Sequence, residues 1–149
     1  MPTATTNMKD SNYIHEVFDE ICKIEDRSER IEYLKANAFK QVKSILQLCY
    51  NDKIELDLPK GRPPFKECPI GKEPCSIKNA FSQISKCVKG NKLARTRKEK
   101  VFINILESIV IDDAAILCAA KDGTISNLQN KKYRKITKSL VQAAFPEIL

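Results

Sequence analysis

The sequence predicts an all-α protein, a small multi-helix bundle of six to seven short helices with a long proline-rich loop and at most one short extended segment. Three observations carry this reading. Apolar residues recur at the helical period in successive segments, each bounded by capping residues. Five of the seven prolines fall between Pro59 and Pro74. Alternation of apolar and polar residues, the mark of a strand, is read only over residues 53–58.

The elements follow in order. MPTATTNMKDSNY has neither the basic start nor the apolar centre of a signal peptide, so residues 1–11 are expected to form a disordered tail before a single helical domain over 12–149. Within 12–52, Ile14, Val17, Phe18, Ile21 and Ile24 share one face of a first helix from Tyr13 to Ile24. Asp26 followed by Glu29 is a capping pattern that opens a second helix through Ile31 and Leu34 to about Ala36. Asn37 marks a break before a third, on which Phe39, Val42, Ile45, Leu46 and Cys49 are spaced for one face. Three short helices in so little chain suggest a small antiparallel bundle.

Residues 53–75 read differently. Ile54, Leu56 and Leu58 alternate with Glu55 and Asp57, which predicts a short half-buried strand or extended arm. LPKGRPPFKECPIGKEPC then predicts an extended loop, because proline fixes φ and lacks a backbone donor. Phe65 and Ile70 are its expected anchors on the bundle. Arg62, Pro63, Pro64 and Phe65 make it a candidate protein-binding surface, since long loops are usually functional or mobile.

Over 76–149 the helical period returns. Ser76 is placed to cap a helix with Ile77, Ala80, Phe81, Ile84 and Val88 inward, ending at Gly90-Asn91. Thr96 and Glu99 form the reciprocal capping pattern and predict a helix start at Arg97. Val101, Phe102, Ile105, Leu106 and Ile109 then build an apolar stripe, leaving Lys98, Lys100, Asn104, Glu107 and Ser108 on the other side. Asp112 or Asp113 can cap the next helix, Ala114 to Lys121, whose Ala115, Ala119 and Ala120 permit close approach before Asp122-Gly123 ends it. The pair reads as a helical hairpin. Thr137 opens a last short helix with Leu140, Val141 and Ala144. Phe145, Ile148 and Leu149 beyond it either close the core or dock on a partner protein.

Charge points to the class of partner. A chain of 149 residues with 42% hydrophobic and 30% charged residues has the composition of a soluble globular protein, with no apolar run near the length of a membrane span. The net charge is +7, distributed unevenly: residues 1–52 carry seven Lys and Arg against nine Asp and Glu, and residues 53–149 carry nineteen against ten. One basic run holds Lys86, Lys89, Lys92, Arg95, Arg97, Lys98 and Lys100; another holds Lys131, Lys132, Arg134, Lys135 and Lys138. Lys89, Lys92, Arg95, Arg97, Lys98, Lys100, Lys131, Lys132, Arg134 and Lys135 are the candidate contacts to DNA or RNA, which such runs attract through counterion release, the alternative being a solvated surface that serves solubility or protein contact. Arg97, at a predicted helix N-terminus, opposes the helix dipole, a local cost that function could explain.

The chemistry-bearing residues point away from catalysis. Of the six cysteines, Cys22, Cys49, Cys87 and Cys118 lie on or beside apolar stripes, where free cysteine behaves as a small hydrophobe. Cys68 and Cys75 sit in the proline loop with six residues between them, too far apart for a zinc-knuckle turn. A zinc site from Cys68, Cys75 and Cys87 with a fourth ligand, and a Cys68–Cys75 disulfide, are both minor alternatives to reduced thiols. His15 has no visible Ser, Cys or Asp arrangement around it, and Asp112-Asp113 reads as a helix cap rather than an acid–base pair. The expectation is therefore no catalytic residue, no metal, no cofactor and no small-molecule substrate.

A proline-rich PPFK loop, a helix, then RKEKVFINILESIVIDDAAILCAAKDG and a closing ITKSLVQAAFPEIL resemble an uncharacterised family of small proteins from T-even-like tailed bacteriophages, especially those of marine and cyanobacterial hosts. The resemblance spans roughly Ile31 to Leu149. It rests on Phe102, Leu106, Glu107, Asp112, Asp113, Ala114, Lys121, Asp122, Ala144, Phe145 and Pro146. It implies phage origin and a shared helical fold, and brings no activity with it. The cysteine-bearing loop and the basic insert around Asn130 to Lys135 depart from the family pattern. Two non-enzymatic roles follow as expectations, in the host cytoplasm or the virion. One is an accessory protein that binds nucleic acid or a nucleic-acid-processing complex of phage or host. The other is a virion structural or decoration protein that touches neighbouring subunits through the proline loop and C-terminal tail.

Overall fold

The computed structural model describes residues 13–51, 53–69, 77–128 and 132–149. Its α-helices are α1 (Ile14–Lys23), α2 (Arg27–Asn37), α3 (Lys40–Tyr50), α4 (Ile77–Phe81), α5 (Arg95–Ser108), α6 (Ile111–Asp122) and α7 (Lys138–Ala144), with 3-10 turns at Ile84–Cys87, Ile125–Asn127 and Pro146–Ile148. The fold is all-α. Among the described residues the only β-pairing is one antiparallel bridge between Leu56 and Val88. The extended arm is therefore real, and it pairs with the turn ahead of α5. The expected tail over 1–11, the Ile70 anchor, Cys75, the Ser76 cap and Lys131 lie outside the described residues.

Burial identifies α6 as the central helix. Asp113 through Ala120 are all buried, and a helix covered on every side must stand inside the bundle. Its alanines keep it thin enough for α1, α3 and α5 to pack around it. The expected hairpin of α5 and α6 is thus only one face of a larger arrangement. Likewise α1 to α3 do not make a bundle of their own: α2 packs on α1 and α7, while α3 packs chiefly on α6. One continuous core runs from Ile14 to Phe145.

Several local signals hold as read. Asp26 accepts from the Glu29 N–H at 3.1 Å and Thr137 Oγ1 accepts from the Leu140 N–H at 3.2 Å, each satisfying a donor that the first helical turn leaves free. Gly123 ends α6 in the left-handed region at φ 72°, where a β-carbon would be strained.

Other readings are corrected. The helix expected from Ser76 to Gly90 breaks after Phe81: Ser82 Oγ turns back to donate to the Asn79 carbonyl at 2.6 Å, and the chain continues as a 3-10 turn that buries Cys87 and extends Val88. Helix α5 starts at Arg95, with Ala94 as an N-cap that offers no side-chain acceptor, so Thr96 and Glu99 do not form a capping box. Lys98, expected on the outer side, is 1% exposed. It lies four residues before Phe102 and seven before Ile105, on the buried stripe, where a long aliphatic stem can pack while its charged end seeks a partner. Its Nζ donates to Asp57 Oδ2 at 3.1 Å and to the Val88 carbonyl at 3.2 Å.

Asp113 is the largest surprise. It does not cap its own helix, whose N-cap is Val110. Instead its 1%-exposed side chain caps α1 from across the fold, accepting from the Ile14 N–H at 3.2 Å and the His15 N–H at 2.9 Å. The carboxylate that sequence spacing assigns to α6 thereby closes the start of α1, 99 residues away.

Candidate functional site

The structure separates the basic residues into those already partnered and those left facing solvent. In the second run, Lys132 pairs with Asp19 at 3.2 Å and lies 5.3 Å over the Tyr133 ring. Tyr133 is buried edge-on against Phe18 and donates to Asp19 at 3.0 Å. Lys135 donates to the Cys22 carbonyl at 3.2 Å and pairs with Glu25 at 3.4 Å. This segment is a strap across α1 that neutralises acids of the net-negative N-terminal part; Lys132 and Arg134 are exposed and Lys135 is part-buried. Lys132 and Lys135 are thus both engaged in contacts within the fold.

The first run behaves otherwise. Lys98 is withdrawn into the core beside Asp57, whose carboxyl the Lys98 hydrogen bond holds below the usual carboxylate range. Lys89 reaches Glu55 at 3.4 Å and Arg95 reaches Asp57 at 3.9 Å, both as exposed pairs worth little in water. Lys86, Lys92, Arg97 and Lys100 are exposed, and none meets an acidic partner among the described residues. They surround the start of α5, where the amides of the first turn have no side-chain cap and no acidic residue stands nearby in the turn. Uncapped amides and unpaired cations add up to a positive potential at one place.

Beside this surface the proline loop crosses α5. Lys121 Nζ donates to the Pro59 carbonyl and to Asp122, each at 2.7 Å. Asp122 in turn accepts from the Gly61 N–H at 2.9 Å, and Glu107 accepts from the Lys66 N–H at 2.8 Å. Ile111 N–H donates to the Cys68 carbonyl at 2.9 Å. Over its described residues the loop is thus pinned at four places, three of them by Glu107, Lys121 and Asp122. Arg62 lies 4.9 Å over Phe65, which is part-buried against the core as expected. Pro63 and Pro64 roof a cavity of about 260 Å³ floored by Phe102 and Ile103 and flanked by Glu99.

In the C-terminal tail Phe145 joins the core, with Ile148 and Leu149 part-buried beside it. Phe145 is 5% exposed with Lys43 4.9 Å over its ring, and Asn51 donates to the Ile148 carbonyl at 3.0 Å. Ile148 and Leu149 pack against the same cluster. The docking role expected for Phe145 is therefore corrected, because its ring is already covered.

His15 is also corrected. Far from standing without an arrangement, its Nδ1 is 2.9 Å from Asp113 Oδ1 and its Nε2 is 3.8 Å from Asp112. Burial opposes protonation, but the Asp113 hydrogen bond and the charges of Asp113, Asp112 and Asp19 outweigh it and raise the pKa above 6.5. The folded chain then holds a proton that the unfolded chain releases, so this contribution is complete below pH 6.5 and disappears as pH rises through the folded value. Asp57 acts oppositely, stabilising above the ordinary carboxylate range and losing that contribution on acidification. Urea midpoints should therefore fall on both sides of a mildly acidic maximum, and His15→Gln should flatten the alkaline limb while leaving the acid limb.

Burial pushes the Cys87 and Cys118 thiols up to about 11, against the lowering charges of Lys98 for the one and Arg62 and Lys121 for the other. Among the described residues no three His, Cys, Asp or Glu side chains are placed to hold a metal ion, and no helix is long and apolar enough to cross a membrane.

Residues 17–127 match the model of a family of unknown function, DUF6433. The chain belongs to that family. No curated protein and no solved structure matches it. The span shared with DUF6433 takes in α5, the central α6, the clamps on the proline loop and the four unpaired cations. The strap over α1 and helix α7 lie beyond it.

Proposed function

We propose that this chain is a phage-encoded, non-enzymatic accessory protein that binds nucleic acid, alone or within a nucleic-acid-processing complex, in the infected host cell. One observation carries the reading: Lys86, Lys92, Arg97 and Lys100 stand exposed and without acidic partners among the described residues, around a helix start that lacks any side-chain cap. Phosphate groups satisfy both features, since they neutralise the cations and accept from the free amides of the first turn. Arg97, in the first turn of α5, stands against the helix dipole without an acidic partner among the described residues, and an anionic ligand removes that conflict.

The alternative, a virion structural or decoration protein, leans on the proline loop and the tail. Phe145 at the tail is committed to the core, so the nucleic-acid reading has the stronger surface.

The test is charge reversal. Changing Lys86, Lys92, Arg97 and Lys100 to Glu should abolish retention on immobilised DNA and RNA at moderate salt and leave the melting temperature within a few degrees. The same reversal at Lys132 and Lys135 should lower stability, because those side chains hold the strap on α1. Retention that survives the first set of changes would refute the reading.

A further inference from the structure

The cavity under the proline loop adjoins the unpaired cations through one residue. Ile103 lines both this cavity and an open depression along the outer face of α5 that Arg97, Lys100, Asn104 and Glu107 border. We infer, building on the nucleic-acid reading above, that the cavity receives one unstacked base of a single-stranded nucleic acid whose phosphates follow Arg97 and Lys100.

The shape and chemistry of the walls support this. Pro63, Pro64, Phe102 and Ile103 offer apolar surface to the faces of a ring, and unstacked bases are held by such surfaces whatever their sequence. Lys121 also lines the space, but its side chain is 3% exposed and its ammonium is engaged by Pro59 and Asp122. The polar group open to a ligand is Glu99, partly buried, whose carboxylate meets no cation or donor among the described residues. Because α5 begins before Thr96, Glu99 is not used in a cap. An acceptor-only carboxylate favours bases that carry an exocyclic amine, cytosine and adenine among them, over thymine or uracil. Lys60 at the rim supplies charge for the phosphates on the loop side. The hydrogen bonds of Pro59 and Gly61 to α6 hold the roof in place, so the cavity exists before the ligand arrives.

Base-paired DNA cannot fill this space without extruding a base, so a single strand is the favoured ligand. The experiment is fluorescence anisotropy with labelled ten-nucleotide dC, dA and dT single strands and a mixed-sequence duplex. The dC and dA strands should bind about tenfold tighter than dT, and Glu99→Gln should remove most of that difference. Ile103→Trp, which fills the cavity, should weaken single strands and spare the duplex, with its melting curve recorded to establish folding. Equal affinity for all four ligands, or a dC preference that persists in Glu99→Gln, would overturn the cavity assignment. Should those ligands still be lost on reversing the four cations, the nucleic-acid reading would survive that failure. Absence of binding to every ligand would overturn both.

Discussion

Replacing Asp113 with Ala should lower stability by about 3–5 kcal/mol, the cost of removing one partner from a buried ion pair, and should depress the melting temperature by roughly 10 °C. Three donors lose their acceptor at once: the Ile14 N–H, the His15 N–H and His15 Nδ1. Two of these are first-turn amides of α1 that no side chain of their own segment caps. Asp113→Asn keeps an acceptor for one amide but loses the charge that holds the proton on His15, so it should fall between Ala and wild type. It should also abolish the alkaline limb of the pH profile. A melting temperature unchanged by Asp113→Ala would show that α1 is held by its apolar face alone.

The second large effect concerns the chain end. Deleting Phe145 to Leu149 should cost about 3–5 kcal/mol, as loss of a buried aromatic side chain does, and lower the melting temperature by about 10 °C. Phe145 sits beneath Lys43, and the Ile148 carbonyl holds Asn51 at the end of α3. Phe145→Leu should recover part of the loss because it restores apolar volume. Unchanged melting combined with a lost partner would return the tail to a docking role and favour the virion alternative.

These two effects mark where local pattern stops being informative. Helices α1, α3 and α7 are legible because each writes its own apolar stripe and α2 because of its cap; the caps at Asp26 and Thr137 lie within three residues of the amides they serve. Asp113 was read as a cap, correctly in kind but for the wrong helix. Its true partners lie 98 and 99 residues away, and no periodicity connects them. His15 was dismissed for the same reason. Lys98 was misplaced because a lysine counts as polar in any pattern, although its stem is apolar and one acid at Asp57 suffices to receive its head.

The candidate site shows the same boundary. Both basic runs were visible as runs, yet a run does not say which charges the fold consumes. Tyr133 was the missed signal in the second: an aromatic residue between Lys132 and Arg134 is more easily explained as an anchor than as part of a solvated stretch, and it is buried against Phe18. In the first run, Lys98 at the spacing of Phe102 and Ile105 could have been separated from Arg97 and Lys100. Glu107, Lys121 and Asp122 stood out as distinctive positions, and their work is to fasten the proline loop.

The functional account rests on the charges that the fold leaves unused at the start of α5. Its most direct test is the salt dependence of single-strand binding in wild-type protein and in a variant with Lys86, Lys92, Arg97 and Lys100 changed to Gln. Four phosphate contacts contribute about −3 to the log–log slope, so the variant should show a slope shallower than wild type by about that amount. An equal slope in both proteins would place the contacts elsewhere and contradict the account.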